Sequence, residues 1–288
     1  MKEAGRSCLH RIYSRSKSLN RQSLLNLGLV AVVLALGSLI TARVACADPT
    51  NAPRAASSPK AAPAPIEPEV RRVLEGACAA LSSAQRVSYH AEITFDSVLP
   101  SLVKLQYAGA MDVAIERPDN LSVDYQSDLG AKRIWYNGQT LIIFDPAHLV
   151  YASVEAPGSI DTMIGDIAKN KNLSIPLAGF DVSDPCARAT RDVLRSKYVG
   201  LNDVAGIECD HLAFFQEQVD WQLWVEHGKN PVARKIVITY KKLPTQPQWE
   251  AVFSKWRFDP PLAAGIFEPK IPKDAVKAQF LEFKGGTQ

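Results

Sequence analysis

Apolar and polar side chains alternate one for one over several long stretches of this 288-residue chain, and that rhythm leaves few folds open. Val87, Tyr89, Ala91, Ile93 and Phe95 alternate with Ser88, His90, Glu92, Thr94 and Asp96. Successive side chains of an extended strand point to opposite faces, so the pattern predicts a strand with one apolar face. The next stretch repeats it: Val103, Leu105, Tyr107, Met111, Val113 and Ile115 face one way and Lys104, Gln106, Asp112 and Glu116 the other, until Pro118 ends the run. Leu121, Val123 and Tyr125 then mark a third strand. Asn137 and Gly138 tolerate the positive φ of a tight hairpin turn, here between strands centred on Ile134 and Ile142. Asp145 and Pro146 make the next turn, before a short strand from Leu149 to Val154.

Helical periodicity is confined to three places. Val70, Val73, Leu74, Ala77 and Leu81 recur at three- and four-residue spacing behind Pro68, a residue suited to the first helical turn. Ser159 can cap a helix with the stripe Ile160, Met163, Ile164 and Ile167, and Asp184 with Pro185 can start another. Strands resume beyond Lys197, through Tyr198 to Leu201, Ile207 to Phe215, Val219 to Glu226, Ala233 to Lys241 and Gln248 to Phe258. In the last of these the apolar parity slips between Phe253 and Trp256, which predicts a β-bulge near Ser254. About ten strands and three helices are expected. The fold class is mainly β with α: a strongly curved antiparallel sheet forming a half-open β-barrel, covered by the helices.

The domain organisation is legible at the N-terminus. A basic stretch to Arg21, an apolar run from Leu24 to Ile40 and the small-residue ending Ala45, Cys46, Ala47 have the layout of a secretory signal peptide, with the cut expected after Ala47. The alternative is an uncleaved leader that anchors the chain in the membrane. A lipid-modified Cys46 fits poorly, because Arg43 stands where a lipoprotein signal carries a large aliphatic residue. Pro49, Pro53, Pro59, Pro63, Pro65 and Pro68 punctuate the following Ala- and Ser-rich segment, which lacks the apolar side chains to fold alone. The reading is therefore a signal peptide at 1–47, a disordered linker at 48–67 and one half-barrel domain at 68–288, periplasmic or secreted. The leader also explains the charge: without its seven Lys and Arg and one Glu, the body holds 26 basic against 29 acidic side chains, a net −3. A mildly acidic body with no basic stripe argues against nucleic acid as a partner. Cys78, Cys186 and Cys209 remain after export, and which of them pair, if any, stays open.

Motifs for chemistry are sparse. There is no Gly-rich phosphate loop, zinc-protease His pair, nucleophile elbow or pair of Cys-x-x-Cys knuckles, so no cofactor, no metal and no enzymatic activity are expected. Cys209 and His211 share one strand face and, with His90, make a candidate metal or nucleophilic constellation, against the plain reading of a buried Cys and a hydrogen-bonded His; His90, Glu92 and Asp96 likewise share the polar face of the first strand, where the plain reading is a solvated edge. Trp249 and Trp256, with Lys241, Lys242, Lys255 and Arg257, are a candidate interfacial patch for transient membrane or partner contact.

The stretch from Val219 to Glu226, followed by Pro231 and Arg234 to Lys241, resembles the signature of a bacterial family of predicted periplasmic proteins, DUF2092. Arg117-Pro118-Asp119, Tyr136-Asn137-Gly138, Asp145-Pro146, Tyr151 and Pro157 to Asp161 extend the resemblance, which runs from about Val70 to the C-terminus. At the level of fold that family resembles LolA and LolB, the lipoprotein carrier and receptor, whose incomplete barrel holds acyl chains beneath a helical lid. The resemblance implies an apolar cavity for a lipid, a lipoprotein acyl chain or another hydrophobic ligand, and an envelope protein as a partner. It supplies no residue-level ligand motif.

The periodicity supplies candidates for that cavity. On the sheet they are Phe95, Leu105, Tyr107, Met111, Val123, Tyr125, Trp221 and Leu223; on the lid they are Ile160, Met163, Ile164 and Ile167. Plain core packing accounts for the same residues, because a curved sheet is filled either by its own side chains or by a guest. The function expected is hydrophobic-ligand binding or carrying, with a filled structural or interaction module of the envelope as the alternative and a hydrolase as the third.

Overall fold

The computed structural model describes residues 65–170 and 181–279. The leader, its expected cut near Ala47, most of the linker and the segment 171–180 lie outside the described residues. Among the described residues three helices, α1 (Pro68–Ser83), α2 (Ile160–Asn170) and α3 (Pro185–Thr190), accompany twelve strands. These are β1 (Arg86–Val98), β2 (Lys104–Glu116), β3 (Asn120–Ser127), β4 (Gly130–Asn137), β5 (Thr140–Asp145), β6 (Val150–Glu155), β7 (Arg195–Val204), β8 (Ile207–Phe215), β9 (Val219–Glu226), β10 (Ala233–Tyr240), β11 (Gln248–Phe258) and β12 (Val276–Ala278).

All twelve join one open sheet in the order β12-β6-β5-β4-β3-β2-β1-β11-β10-β9-β8-β7. Its logic is two antiparallel meanders, β1 to β6 and β7 to β11, joined where β1 pairs with β11, with Ile93 opposite Ala251. The sheet does not close: β7 and β12 are its two edges. The fold is a strongly curved, half-open barrel covered by helices. The twelfth strand was not expected. It is three residues long and pairs in parallel with β6, too short for alternation to register.

Local rules place the irregularities. Asn137 Oδ1 accepts from the backbone N–H groups of Gln139 and Thr140, and Gly138 has φ +82°, so the predicted hairpin turn forms. The expected bulge follows Ser254: Ser88 faces Arg257 and His90 faces Ser254, leaving Tyr89 opposite two residues, one of which, Lys255, has φ +54°. The extra residue returns Trp256 to the concave face, where it packs on Tyr89 at 4.6 Å between centroids. Trp249 and Trp256 therefore lie towards opposite ends of β11 and form no single patch.

The helices cover the concave face with the stripes their spacing predicts. Val70, Val73, Leu74, Ala77, Cys78 and Leu81 of α1 are buried. Its start is tied to the β7 edge, as the Glu67 N–H donates to Ser196 Oγ and Glu67 Oε2 accepts from the Tyr198 N–H. Cys78 and Cys186 form a disulfide between α1 and α3, and Cys209 is free and buried. Asp184 caps α3 by accepting from the Ala187 N–H. The approach to α2 is set by Tyr136, whose buried hydroxyl lies 2.8 Å from the carbonyl oxygens of both Ala156 and Gly158 and shares its one proton between them. Tyr136→Phe leaves these carbonyls without their donor and is expected to cost about 1–3 kcal/mol in urea unfolding. An unchanged midpoint would show that this hydroxyl does not set the turn.

Candidate functional site

The pairing registers turn separate alternating strands into continuous rows on the concave face. One row crosses six strands: Tyr107, Phe95, Trp249, Ile238, Trp221 and Phe214. Phe95 and Tyr107 lie 5.8 Å apart between centroids, and Phe214 stacks on Trp221 at 3.8 Å. The parallel row one step along the strands is smaller in the middle: Gly109, Ile93, Ala251, Ile236, Leu223 and Leu212. Gly109 is required there, because a Cβ would meet the Gln126 carbonyl oxygen at 2.7 Å.

The aromatic row is graded in burial. Phe95 and Phe214 are buried, whereas Tyr107, Ile238 and Trp249 are only partly so. Beyond it, the loops at the same end of the sheet expose Leu99, Leu102 and Val103 between β1 and β2, and Leu243 between β10 and β11. An aromatic row thus opens onto an aliphatic rim.

Of the residues expected to line a cavity, Phe95, Met111, Val123, Ile160, Met163, Ile164, Ile167, Trp221 and Leu223 fall in one buried cluster, with Tyr107 and Tyr125 partly buried against it. Leu105 does not join them. It stands on the rim at 39% exposure because β2 outruns its neighbour: pairing with β3 begins only at Gly109. Sequence reasoning missed Ile238, Trp249 and Phe214 as partners in the row. Their alternation was readable, but their alignment across strands was not.

A polar group lies deeper. The Tyr89 hydroxyl donates to Asp181 Oδ1 at 3.1 Å, and both side chains are buried. Burial raises the Asp181 carboxyl to about 7, against the opposing effects of Tyr89 and Arg117. Burial and the neighbouring Asp181 push the Tyr89 hydroxyl well above its ordinary value. Nothing in the sequence around Asp181 signals burial.

Cys209, His211 and His90, the candidate metal or nucleophilic constellation, do not assemble. Burial pushes the Cys209 thiol up to about 11, and its Sγ hydrogen-bonds to the Ile207 carbonyl. His211 Nε2 bonds to Gln222 Oε1 at 2.9 Å while its ring stacks on Trp224 at 4.0 Å; burial lowers its pKa. His90 lies on β1, separated from β8 by β11, β10 and β9, and bonds instead to Glu92 and Asp112. Three intervening strands at nearly 5 Å spacing put it about 19 Å from the Cys209–His211 strand. Among the described residues no group of three His, Cys, Asp or Glu side chains is placed to hold a metal ion.

Residues 71–281 match the family model described as predicted periplasmic protein (DUF2092). Among solved structures the chain is similar to LprF from Mycobacterium bovis, at 13% identity over 73% of this chain and 99% of that one, with a TM-score of 0.42. It is similar to the lipoprotein LppX from Mycobacterium tuberculosis at 13% identity over 68% and 98% of the two chains, with a TM-score of 0.43. A LolA superfamily protein from Nitrosomonas europaea aligns at 12% identity over 69% and 97%, with a TM-score of 0.34. No curated protein sequence matches the chain.

Proposed function

The chain belongs to the DUF2092 family of predicted periplasmic proteins, and we propose that it is a non-catalytic periplasmic protein that binds or carries a lipid, or another hydrophobic ligand, on the concave face of its open sheet. The observation that carries this reading is the row Tyr107, Phe95, Trp249, Ile238 and Trp221, which crosses five strands and stays partly uncovered at the end rimmed by exposed leucines. Ligand sites are concave and mostly apolar, and aromatic side chains offer large contact areas at their mouths. In this reading the leader 1–47 is cut near Ala47, and the linker 48–67 lets the half-barrel domain 68–288 stand off the membrane. An uncut leader would keep it anchored. The rim leucines would make transient contact with a membrane or an envelope protein that delivers or receives the ligand.

A second reading, a filled structural or interaction module, is favoured by Met111, Met163, Leu212 and Phe214, all almost fully buried. Titration of the purified protein with dodecan-1-ol, followed by tryptophan emission, decides between them. Saturable binding is expected, weakened at least tenfold by Trp249→Asp on the row and unchanged by Trp224→Ala beside His211. Absence of saturable binding, or equal loss in both variants, would favour the filled module.

A further inference from the structure

Three segments far apart in sequence bring polar side chains together beneath the helices: Tyr89 from β1, Arg117 from the β2–β3 turn and Asp181 from the approach to α3. Tyr89 packs against both Trp256 and Phe253, at 4.6 and 5.9 Å between centroids, so its ring has apolar neighbours. Asp181 is 1% exposed. One of its oxygens, Oδ1, accepts from the Tyr89 hydroxyl. Arg117 donates from its two terminal nitrogens to the carbonyls of Ala84 at 3.1 Å and of Val182, next to Asp181, at 3.3 Å. Asp181 Oδ2 and Arg117 Nε are buried, and neither has a hydrogen-bond partner among the described residues.

A buried acceptor and a buried donor left in this condition are each costly. Oδ2 calls for a donor and Nε–H for an acceptor, and a hydroxyl is both. Asp181 and Arg117 carry opposite charges and act on each other, so together they offer no net charge for a carboxylate or an ammonium head to answer. Building on the function proposed above, we infer that Asp181 Oδ2 and Arg117 Nε grip an uncharged hydroxyl, and that the ligand is a hydroxyl-headed amphiphile whose chain runs along the concave face towards the aromatic row.

Calorimetric titration of the purified protein with dodecan-1-ol, dodecyl methyl ether and dodecanoate at pH 8 tests this. The ether accepts a hydrogen bond but cannot donate one, and ionised dodecanoate likewise has no proton for Asp181 Oδ2. The alcohol is expected to bind at least tenfold more tightly than either. In Asp181→Asn the alcohol and ether should become nearly equal, whereas Trp249→Ala should weaken all three alike. Equal binding of alcohol and ether to the wild type would overturn the polar grip and leave the apolar site standing. Tighter binding of dodecanoate would overturn it in favour of recognition by charge. Failure of all three to bind would overturn both this inference and the function on which it rests.

Discussion

Replacing Cys78 and Cys186 together by alanine is expected to lower the stability of the folded chain by about 4 kcal/mol. The bond spans 108 residues of sequence, and in the chain-entropy account the unfolded state loses more freedom the longer the loop a disulfide closes. That loop contains all of β1 to β6 and α2, so the bond restrains one complete meander. It also fastens α1 to α3, two helices that otherwise meet over a short contact, α3 being six residues long. For a domain of this size the loss corresponds to a fall in Tm of roughly 8–16 °C. Thermal unfolding of the double variant, and of the wild type with and without dithiothreitol, measures it. Such a bond persists in an oxidising compartment such as the periplasm. A variant melting with the oxidised wild type would mean that helix packing alone holds the cover in place.

Asp181→Asn is expected to act in the opposite direction, and only above acidic pH. The carboxyl is raised from 3.8 to about 7 by burial, so the folded state holds its proton where the unfolded chain has released it. The sign follows from linkage: where the folded state binds more protons, stability falls as pH rises. The contribution is intact below about pH 4 and is lost by pH 7, a span of about three units that amounts to ~4 kcal/mol. The amide carries no such slope. Urea unfolding at pH 4.5 and pH 8 should find the variant close to the wild type at the first and more stable at the second, less about 1 kcal/mol for an altered bond with Tyr89. Asp145 titrates on the other side: burial opposes its ionisation, but Lys132 and His148 outweigh burial and hold it at about 2, so its support disappears only in strong acid. A variant parallel to the wild type at every pH would show that Asp181 stays ionised in the fold.

What the sequence made legible follows from the reach of each rule. Alternation reports the face on which a side chain stands, so the inward set of β1, β2 and β3 was readable residue by residue. Local chemistry marked the Asn137–Gly138 turn, the Asp184 cap and the slip after Ser254, because each depends on residues a few positions apart. Alternation does not report neighbours. Val87 pairs with Phe258 across more than half the chain, and nothing local selects β11 over another strand. The same blindness hid the aromatic row, the Cys78–Cys186 pairing and the meeting of Tyr89, Arg117 and Asp181. Leu105 has the right parity for the interior but lies beyond the end of its neighbouring strand, a fact of register and not of pattern.

The most direct test of the central claim is native mass spectrometry of the protein isolated from the cell envelope under gentle conditions. The predicted result is a population heavier than the bare polypeptide by the mass of one lipid-like molecule, which organic extraction releases and which Trp249→Asp diminishes. Repeated isolation of the bare polypeptide alone, from cells in which the envelope lipids are intact, would contradict a binding role and leave the molecule as scaffold.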